Sequence, residues 1–358
     1  MNILKKWRFW RYLFLVFLGF VVLAGAGVLA LLWVRPQPTL ITLAGSSQEM
    51  GADYGSKAKW QLKLLNDLYL ERTICRNDRQ LIQARRKAAV TQTTNWPEPY
   101  VREISAMASA SGLPTGALAY ANCFLDLGAA RAGCRSVVAG SNGVFLHAHN
   151  LDWDSLAGLG RWTTCIVRRA PSDGRFKTVS IGFPGLIGSF DIINEKGLAI
   201  SFNQLGMSNG STNEPVFIMI RRIAESCGTL AAARREILSA PPGMPFILTV
   251  SDSSMQEGSV FERTRGRIIE RGMSRGWVAA CNVSQEQQTG STGLDKVLGE
   301  RPISQLRDLQ EILGDERVML GCNLYSVIFD FKNNRMLLAS GSVPAASASY
   351  REFVLFER

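Results

Sequence analysis

The sequence GCRSVVAGSNGVFLHAHNLD, residues Gly133–Asp152, contains two short apolar runs separated by Ser141–Gly143. Serine, asparagine and glycine are typical turn residues, and the flanking runs are rich in valine or alternate in polarity, so the stretch predicts a β-hairpin. Both histidines of the chain, His147 and His149, lie in the second run. Chemistry that requires an imidazole is therefore confined to this hairpin.

The hairpin separates two parts of the chain with different sequence patterns. Residues 46–130 carry helix signals, with capping residues at Ser46–Glu49 and a stop at Gly112–Pro114. From Gly133 onward, short runs rich in valine, isoleucine and phenylalanine alternate with turn residues, as in antiparallel sheet. Helices are predicted again near 215–225, 230–239 and 303–313. Strand runs that bracket pairs of helices indicate a layered α+β fold rather than βαβ alternation.

An apolar segment, residues 12–34, precedes these parts. It contains 23 uncharged residues, against the ~20 that a helix needs to span a bilayer. Because a signal-peptide core has only roughly 7–15 residues, we expect an uncleaved transmembrane anchor. Four basic residues precede the segment and only Arg35 directly follows it, which predicts a cytoplasmic N-terminus and a periplasmic or extracellular body. The predicted organisation is a cytoplasmic segment (1–11), the anchor (12–34), a linker (35–38) and one domain (39–358).

Composition narrows the range of partners and cofactors. The chain has 358 residues, 46% of them hydrophobic, and a formal charge of +10. Five of the basic residues flank the apolar segment, and no nucleic-acid-binding motif is present, so we expect no nucleic-acid partner. The seven cysteines include no C-x-x-C pair, which argues against a cysteine-rich zinc site. An odd number of cysteines leaves at least one thiol unpaired in an exported chain.

Cys134 opens the first strand of the hairpin, directly after Gly133. A buried cysteine at a strand start is most often a small hydrophobic residue. Here the preceding glycine adds no bulk beside the shared peptide bond, and the polar cluster that ends at Asp152 lies one hairpin away. A papain-like site is disfavoured, because it needs a histidine far downstream and none follows His149. The pair His147 and His149 would need carboxylates or thiolates to complete a catalytic zinc site, so we expect no metal and no cofactor.

One mechanism for Cys134 needs no histidine. If the Gly133–Cys134 bond breaks, Cys134 becomes an N-terminal residue whose α-amine can act as the base for its own thiol. The reference pKa values are about 7.7–8.0 for the amine and about 8.5 for the thiol, so proton exchange between them is nearly balanced. Asp152 would orient this amine, and side-chain amides would stabilise the oxyanion.

Several motifs, taken in order along the chain, resemble those of the cysteine N-terminal nucleophile (Ntn) hydrolases that cleave linear amides. The resemblance is to the acyl-coenzyme A:6-aminopenicillanic acid acyltransferase-like group, with conjugated bile acid hydrolases, N-acylethanolamine acid amidase and acid ceramidase as relatives. It covers about residues 40–345. The matching motifs are Gly45–Gly55, Gly133–Ser136, Asn150–Trp153, Asn194–Leu198 leading to Asn203, Cys281-Asn282 and Leu324–Asp330.

The resemblance implies a four-layer αββα Ntn-hydrolase sandwich that cleaves itself between Gly133 and Cys134. Cleavage would leave a helical part (39–133) and a part with the nucleophile at its start (134–358). Cys134 would be the nucleophile and base amine, and Asp152 the carboxylate that orients the amine. By the same resemblance, Asn203 and Asn282 would contact the oxyanion or the substrate amide.

The sequence departs from the family pattern at two positions. His149 stands where many relatives have arginine, and Cys281 stands where threonine usually precedes the late asparagine. We take Arg135, His149 and Trp153 as candidate substrate contacts, with a salt-bridge role for Arg135 and a core role for Trp153 as the alternatives.

Together, these features predict a membrane-anchored amidase that hydrolyses a linear acyl amide through a thioester on Cys134. An acyltransferase that hands the acyl group to an amine is one alternative, because pocket shape and water access select the acceptor. A catalytically silent, membrane-tethered binding protein on the same scaffold is another. Lipid-like acyl amides, β-lactams, N-acyl amino acids, acyl-homoserine lactones and bile-acid conjugates all stay open as substrates.

Overall fold

The structure, a computed structural model, describes residues 12–21, 36–128, 133–141, 143–206, 213–241, 243–264, 267–284 and 292–357. Two units are distinct, Met1–Pro36 and Gln37–Arg358. In the first unit, residues 12–21 form an exposed helix. The rest of the predicted anchor, 22–34, and the segment 1–11 lie outside the described residues. No helix within the described ranges combines the length and the apolar character that a bilayer span requires.

The second unit is built from two β-sheets. The strands are β1 (Thr39–Gly45), β2 (Gly133–Ser141), β3 (Val144–Asp152), β4 (Cys165–Pro171), β5 (Thr178–Gly182), β6 (Asp191–Asn194), β7 (Leu198–Gln204), β8 (Phe246–Asp252), β9 (Glu257–Arg263), β10 (Ile268–Gly272), β11 (Trp277–Ala280), β12 (Asn323–Asp330), β13 (Arg335–Ala339) and β14 (Arg351–Val354). An eight-stranded sheet has the order β1-β4-β5-β6-β7-β8-β9-β10, and a six-stranded sheet has the order β11-β2-β3-β12-β13-β14.

Helices occupy the chain before β2 and the connections between later strands. They are α1 (Ser47–Lys57), α2 (Lys59–Leu64), a π-helix (Leu65–Ile74), α3 (Arg79–Gln92), α4 (Glu98–Ser111), α5 (Thr115–Cys123), α6 (Ala157–Thr163), α7 (Val216–Ser226), α8 (Leu230–Ser239), α9 (Gly293–Glu300) and α10 (Leu306–Leu313), with short 3-10 turns at Thr93–Asn95 and Asp154–Leu156.

The two sheets pack face to face. Strand alternation also gives each sheet an apolar outer side, which needs a cover. On the outer side of the eight-stranded sheet, Ile200 and Phe202 of β7 share a core with Phe217 of α7. On the outer side of the six-stranded sheet, Val137 and Ile328 share a core with α9 and α10. Helices therefore cover both outer sides of the sandwich, and the inner sides face each other.

The space between the sheets contains a polar layer beside an apolar patch. Val138, Phe145, Ile247, Val260 and Val278 form the apolar patch. The polar layer consists of fully buried side chains from both sheets, joined by hydrogen bonds. Its members are Ser136, His147, His149, Asp191, Ser201, Asn203, Thr249 and Ser251. The sandwich thus encloses a dry, hydrogen-bonded layer into which the inner side of β2 points.

The predicted layered α+β fold is confirmed at the level of a sheet sandwich flanked by helices. The hairpin, the helices before it and the later strand runs lie where the sequence predicts them. One ladder differs from the antiparallel prediction, because β1 pairs parallel with β4. Helix α6 lies in a stretch for which no helix or strand was predicted. Gly160 is there because a Cβ would lie 2.5 Å from Leu324 Cδ2.

The part of the chain before the hairpin is integral to the sandwich. Strand β1 pairs along its whole length with β4, from Thr39 opposite Cys165 to Gly45 opposite Pro171. Helix α4 contributes Glu103, which is fully buried and forms an ion pair with Arg221 of α7. A break of the chain at Gly133 would therefore leave the two pieces joined by sheet, core and buried ion pair.

Candidate active site

The β2–β3 hairpin places Cys134 at the start of an inner strand. Gly133 lies opposite Asp152 in the ladder, and Cys134 lies opposite Leu151. The hairpin turns at Gly143, whose φ of 78° is in the left-handed region that favours glycine. Because side chains alternate along a strand, Cys134 points to the inner layer and Asp152 points to the outer side.

Asn282 holds the backbone nitrogen of the predicted nucleophile. The Cys134 amide donates a hydrogen bond to Asn282 Oδ1 at 2.5 Å. Asn282 Nδ2 in turn donates to the Gln204 carbonyl at 2.8 Å, which fixes the carboxamide at both ends. Asn282 was expected to contact the oxyanion or the substrate amide; in this structure it lies beside Cys134, with the amide oxygen rather than the NH₂ group facing it.

Arg135 and Asp152 lie on the outer side of β2, next to the backbone of Gly133 and Cys134. Arg135 Nη1 donates to the Cys134 carbonyl at 2.8 Å and lies 4.0 Å from Asp152 Oδ2. Asp152 is fully buried, and neither of its carboxylate oxygens makes a hydrogen bond of standard geometry with a described residue. Burial raises the pKa of Asp152, against the opposing effects of the Arg135 charge and of Asn323. The carboxylate therefore lies beside Gly133, where a Cβ built on the glycine would be 3.5 Å from Asp152 Oδ2.

Asn203 lies in the polar layer and contacts the strand of the nucleophile through Ser136. Ser136 Oγ donates to Asn203 Oδ1 at 2.9 Å, and Asn203 Nδ2 donates to the Ala280 carbonyl at 3.4 Å. Both ends of this carboxamide therefore have partners in the uncleaved chain. Its hydrogen bonds support the inner side of β2 beside Cys134.

Trp153 lies in the core rather than on a pocket wall in this structure. Its side chain is fully buried, and its Nε1 donates to the Tyr69 hydroxyl at 2.7 Å. Its ring packs edge-on against Phe183 and Phe190, with centroids 5.9 and 5.5 Å apart. The arrangement corresponds to the core alternative, and it links the segment after β3 to the helical part.

His149 has two partners that the sequence did not suggest, Asp191 and Tyr325. His149 Nδ1 lies 2.8 Å from Asp191 Oδ2, and the Tyr325 hydroxyl donates to the same oxygen at 2.6 Å. Ser201 Oγ donates to Asp191 Oδ1. All four side chains are fully buried. Burial alone lowers the pKa of His149, but the Asp191 carboxylate and the Cys134 thiol more than offset it and raise this pKa to about 10.

His147 belongs to the same layer but is held neutral. Its two ring nitrogens lie 2.7 Å from Ser251 Oγ and 2.8 Å from Ser201 Oγ. Burial lowers the pKa of His147 to about 3, because no carboxylate contacts the ring directly. His147 therefore has a structural role in the layer.

The cysteines and candidate metal ligands can be judged for the described residues. All seven cysteines, Cys75, Cys123, Cys134, Cys165, Cys227, Cys281 and Cys322, are free thiols, and all but Cys322 are buried. Within the described ranges, no three His, Cys, Asp or Glu side chains are grouped so as to hold a metal ion. Cys134 is the one among these thiols that directly follows a glycine at the start of a strand and interacts with an imidazole, that of His149.

Comparison with known proteins gives one family match and several structural likenesses. The family model described as acyl-coenzyme A:6-aminopenicillanic acid acyl-transferase matches residues 138–313, a range that includes Asp152, Asn203 and Asn282. No curated protein sequence matches the chain significantly.

The structural likenesses are to amide hydrolases. A Caenorhabditis elegans ortholog of N-acylethanolamine-hydrolyzing acid amidase is 18% identical, with a TM-score of 0.47, over 62% of this chain and 100% of that one. Two variants of conjugated bile acid hydrolase from Clostridium perfringens are 12% and 13% identical, with TM-scores of 0.41 and 0.40. Each match covers 58% of this chain and 89% of that one.

Proposed function

Because the chain belongs to the acyl-coenzyme A:6-aminopenicillanic acid acyltransferase family of Ntn hydrolases, we propose that it is an amidase whose nucleophile, Cys134, is released by self-cleavage. The observation that carries this proposal is the hydrogen bond between Cys134 N and Asn282 Oδ1, beside the buried Asp152. A side-chain acceptor on this nitrogen is what an N-terminal base requires, because it fixes one N–H and leaves the lone pair of the freed amine for the thiol.

The reaction follows from that arrangement. After cleavage, the Cys134 amine takes the thiol proton, and the thiolate attacks the acyl carbon of a linear amide. The C–N bond breaks, the departing amine receives the proton, and a thioester remains on Cys134. Water then hydrolyses the thioester and regenerates the thiol. Asp152 orients the amine from the outer side of β2, and Arg135 fixes the Cys134 carbonyl.

The supporting residues have different roles in this proposal. Asn282 positions the amine through its oxygen. Asn203 supports β2 through its oxygen, which accepts from Ser136, and its Nδ2 is the group that would donate to the oxyanion by leaving the Ala280 carbonyl, 3.4 Å away in the uncleaved chain. Trp153 fixes the end of β3 in the core. A second candidate, an acyltransferase, differs only in that an amine rather than water attacks the thioester.

We also propose that residues 12–34 anchor the enzyme in a membrane, with residues 39–358 on the periplasmic or extracellular side. The support comes from sequence, since 23 uncharged residues are flanked by basic ones. Carbonate extraction of membranes tests this proposal. The full chain should stay with the membrane pellet, and a chain lacking residues 1–36 should be released. Release of both would contradict the anchor.

A panel of N-acyl amides tests the activity. Purified protein should release the acyl group as free acid, and the Cys134→Ala variant should not. Cys165→Ala is the matched control, because Cys165 is equally buried but lies in β4, away from the hairpin. Adding an acceptor amine distinguishes the two candidates, since a transferase would form the new amide faster than the free acid. A wild-type protein that binds the amides without turnover would instead indicate the silent binding protein.

A further inference from the structure

Self-cleavage needs a proton acceptor that the later amidase reaction does not. Before the Gly133–Cys134 bond breaks, the Cys134 nitrogen is an amide that donates to Asn282 and has no basic lone pair. The base proposed for the mature enzyme therefore does not yet exist. Another group must take the proton of the Cys134 thiol for the first cut.

His149 is placed to be that group by the ladder of the hairpin. Ser136 lies opposite His149, and Cys134 is two residues before Ser136, so the thiol and the imidazole are diagonal neighbours on the inner side. Nδ1 is committed to Asp191 at 2.8 Å. Nε2 is buried and has no hydrogen-bond partner of standard geometry within the described ranges. The Cys134 thiol nevertheless interacts with this imidazole closely enough to raise its pKa, so Nε2 and the thiol share one buried space.

We propose that His149, oriented by Asp191, receives the proton of the Cys134 thiol and stabilises the resulting thiolate for cleavage of the Gly133–Cys134 bond. The inference rests on the proposed self-cleavage and deepens it. Asp191 and Tyr325 are positioning residues, since they contact the imidazole or its carboxylate but not the reacting atoms. The raised pKa of His149 accords with an imidazolium between one carboxylate and one thiolate.

The step is balanced in atoms and charges. The proton moves from Cys134 Sγ to His149 Nε2, and the thiolate attacks the Gly133 carbonyl carbon. The carbon–nitrogen bond breaks as the imidazolium returns its proton to the departing Cys134 nitrogen, which leaves a Gly133 thioester on the sulfur and a free α-amine. Water hydrolyses this thioester to the Gly133 carboxylate and the Cys134 thiol. The new amine can then serve as the base in the amidase cycle.

The same geometry explains why histidine is tolerated at this position. The sequence resemblance puts arginine here in many relatives, and an arginine cannot accept a proton at physiological pH. A histidine with a buried carboxylate behind it can both accept the thiol proton and carry positive charge. The pair His149 and Asp191 is built from β3 of one sheet and β6 of the other.

The test follows the full chain during cell-free synthesis, with intact mass measured over time. Wild type should cleave, and His149→Gln and Asp191→Asn should cleave at least roughly a hundredfold more slowly, which is the usual contribution of a positioned acid–base group. His147→Gln is the matched control, because it removes an equally buried imidazole of the same strand that does not contact Cys134. Circular dichroism melting verifies that each variant is folded.

A second readout separates an acid–base role from a structural one. The ultraviolet absorbance of the thiolate, taken as wild type minus Cys134→Ala, should be larger than the same difference taken in the His149→Gln background at the same pH. Groups that influence His149 in this titration are Asp191, Cys134, His147, Asp152 and Tyr325. His149→Arg should keep the thiolate absorbance through its charge but lose the proton transfer.

The outcomes distinguish this inference from the proposed function. A wild-type chain that never cleaves overturns both. A folded His149→Gln variant that cleaves at the wild-type rate overturns the inference alone, as does an unchanged thiolate absorbance in that variant. Equal slowing by His147→Gln and His149→Gln, with thiolate absorbance retained in both, would also overturn it, because that result indicates a packing role.

Discussion

Gly133 lies directly opposite Asp152 in the β2–β3 ladder, and a Cβ built on Gly133 would lie 3.1 Å from the Cβ of Asp152. The same atom would lie 3.2 Å from Leu320 Cδ1 and 3.5 Å from Asp152 Oδ2. The residue before the nucleophile therefore needs to lack a side chain if the carboxylate is to stay beside the bond. The glycine at position 133, before the proposed cleavage point, therefore determines where the Asp152 carboxylate can lie.

The first prediction concerns this contact. Gly133→Ala should slow self-cleavage about tenfold or more, because overpacking of about 1–3 kcal/mol displaces Asp152 from the bond that is to break. The rate of appearance of the two fragments measures the effect. Gly272→Ala in β10 is the control, since a Cβ there would meet no atom within 4 Å. Equal rates for the Gly133→Ala variant and wild type would show that Asp152 does not need this position.

The second prediction concerns the acceptor for the Cys134 nitrogen. Asn282→Ala removes a hydrogen bond to the future amine, worth roughly 1.5–3 kcal/mol once that amine is charged. We expect kcat/KM for an acyl amide to fall about ten- to a hundredfold, with a smaller effect on the folding midpoint. Asn282→Asp, which keeps an oxygen acceptor, should recover part of the loss. An Asn282→Ala variant that turns over the amide at the wild-type rate would contradict the assigned role.

The third prediction concerns the cohesion of the cleaved pieces. Glu103 Oε2 and Arg221 Nη2 are 2.7 Å apart and fully buried, and they lie on opposite sides of the cleavage point in sequence. Removing one partner of a buried ion pair typically costs roughly 3–5 kcal/mol. Glu103→Gln should therefore lower the free energy of unfolding by about that amount, which urea titration measures as a lower midpoint. The fragments of the wild-type protein should co-elute on size exclusion after cleavage.

The control for that prediction is an exposed ion pair in the same part of the chain. Asp53 and Lys57 are 2.6 Å apart but largely exposed. Asp53→Asn should cost less than about 1 kcal/mol. If the exposed and buried variants have equal urea midpoints, or if the wild-type fragments separate without denaturant, the buried pair does not hold the pieces together.

The fourth prediction concerns pH and stability. The pKa of His149 is raised to about 10 in the folded chain, against about 6.5 when unfolded. The folded state then binds one more proton than the unfolded state between these values, so stability falls as pH rises through this window, by at most about 1.4 kcal/mol per pH unit. In Cys134→Ala, Asp191 still raises this pKa but the thiol no longer does, so the urea midpoints with and without His149→Gln should converge as the pH rises above the unfolded value of about 6.5. Parallel pH curves would contradict the pairing with Asp191.

The hairpin could be predicted from sequence because its signals are local. Turn residues at 141–143 and the flanking runs fix the strands, and the alternation of the strands then puts Gly133 beside Asp152. The contact of Cys134 with Asn282 joins residues far apart in sequence. The family resemblance placed Asn282 in the site but did not predict this hydrogen bond. Local loop and strand patterns do not predict contacts between residues so far apart in sequence.

The roles of Asp191 and Tyr325 beside His149 were missed because no residue near either of them in sequence indicates that contact. A search for a papain-like site looks for a downstream histidine, whereas here the histidine lies in the hairpin and the acid lies downstream. One signal was available. An aspartate within the apolar run Phe190–Ile193 has to be buried, and a buried carboxylate requires a hydrogen-bonded or charged partner. With two histidines in the chain, that partner could have been narrowed to His147 or His149.

The N-terminus of the second fragment tests the central claim most directly. The full chain and its Cys134→Ala variant are purified side by side, and intact mass and N-terminal sequencing are applied to each. The account predicts that wild type yields a fragment beginning at Cys134 and ending at Arg358, and that the variant stays whole. A wild-type chain that remains intact after prolonged incubation, or one whose new N-terminus lies anywhere else, would contradict it.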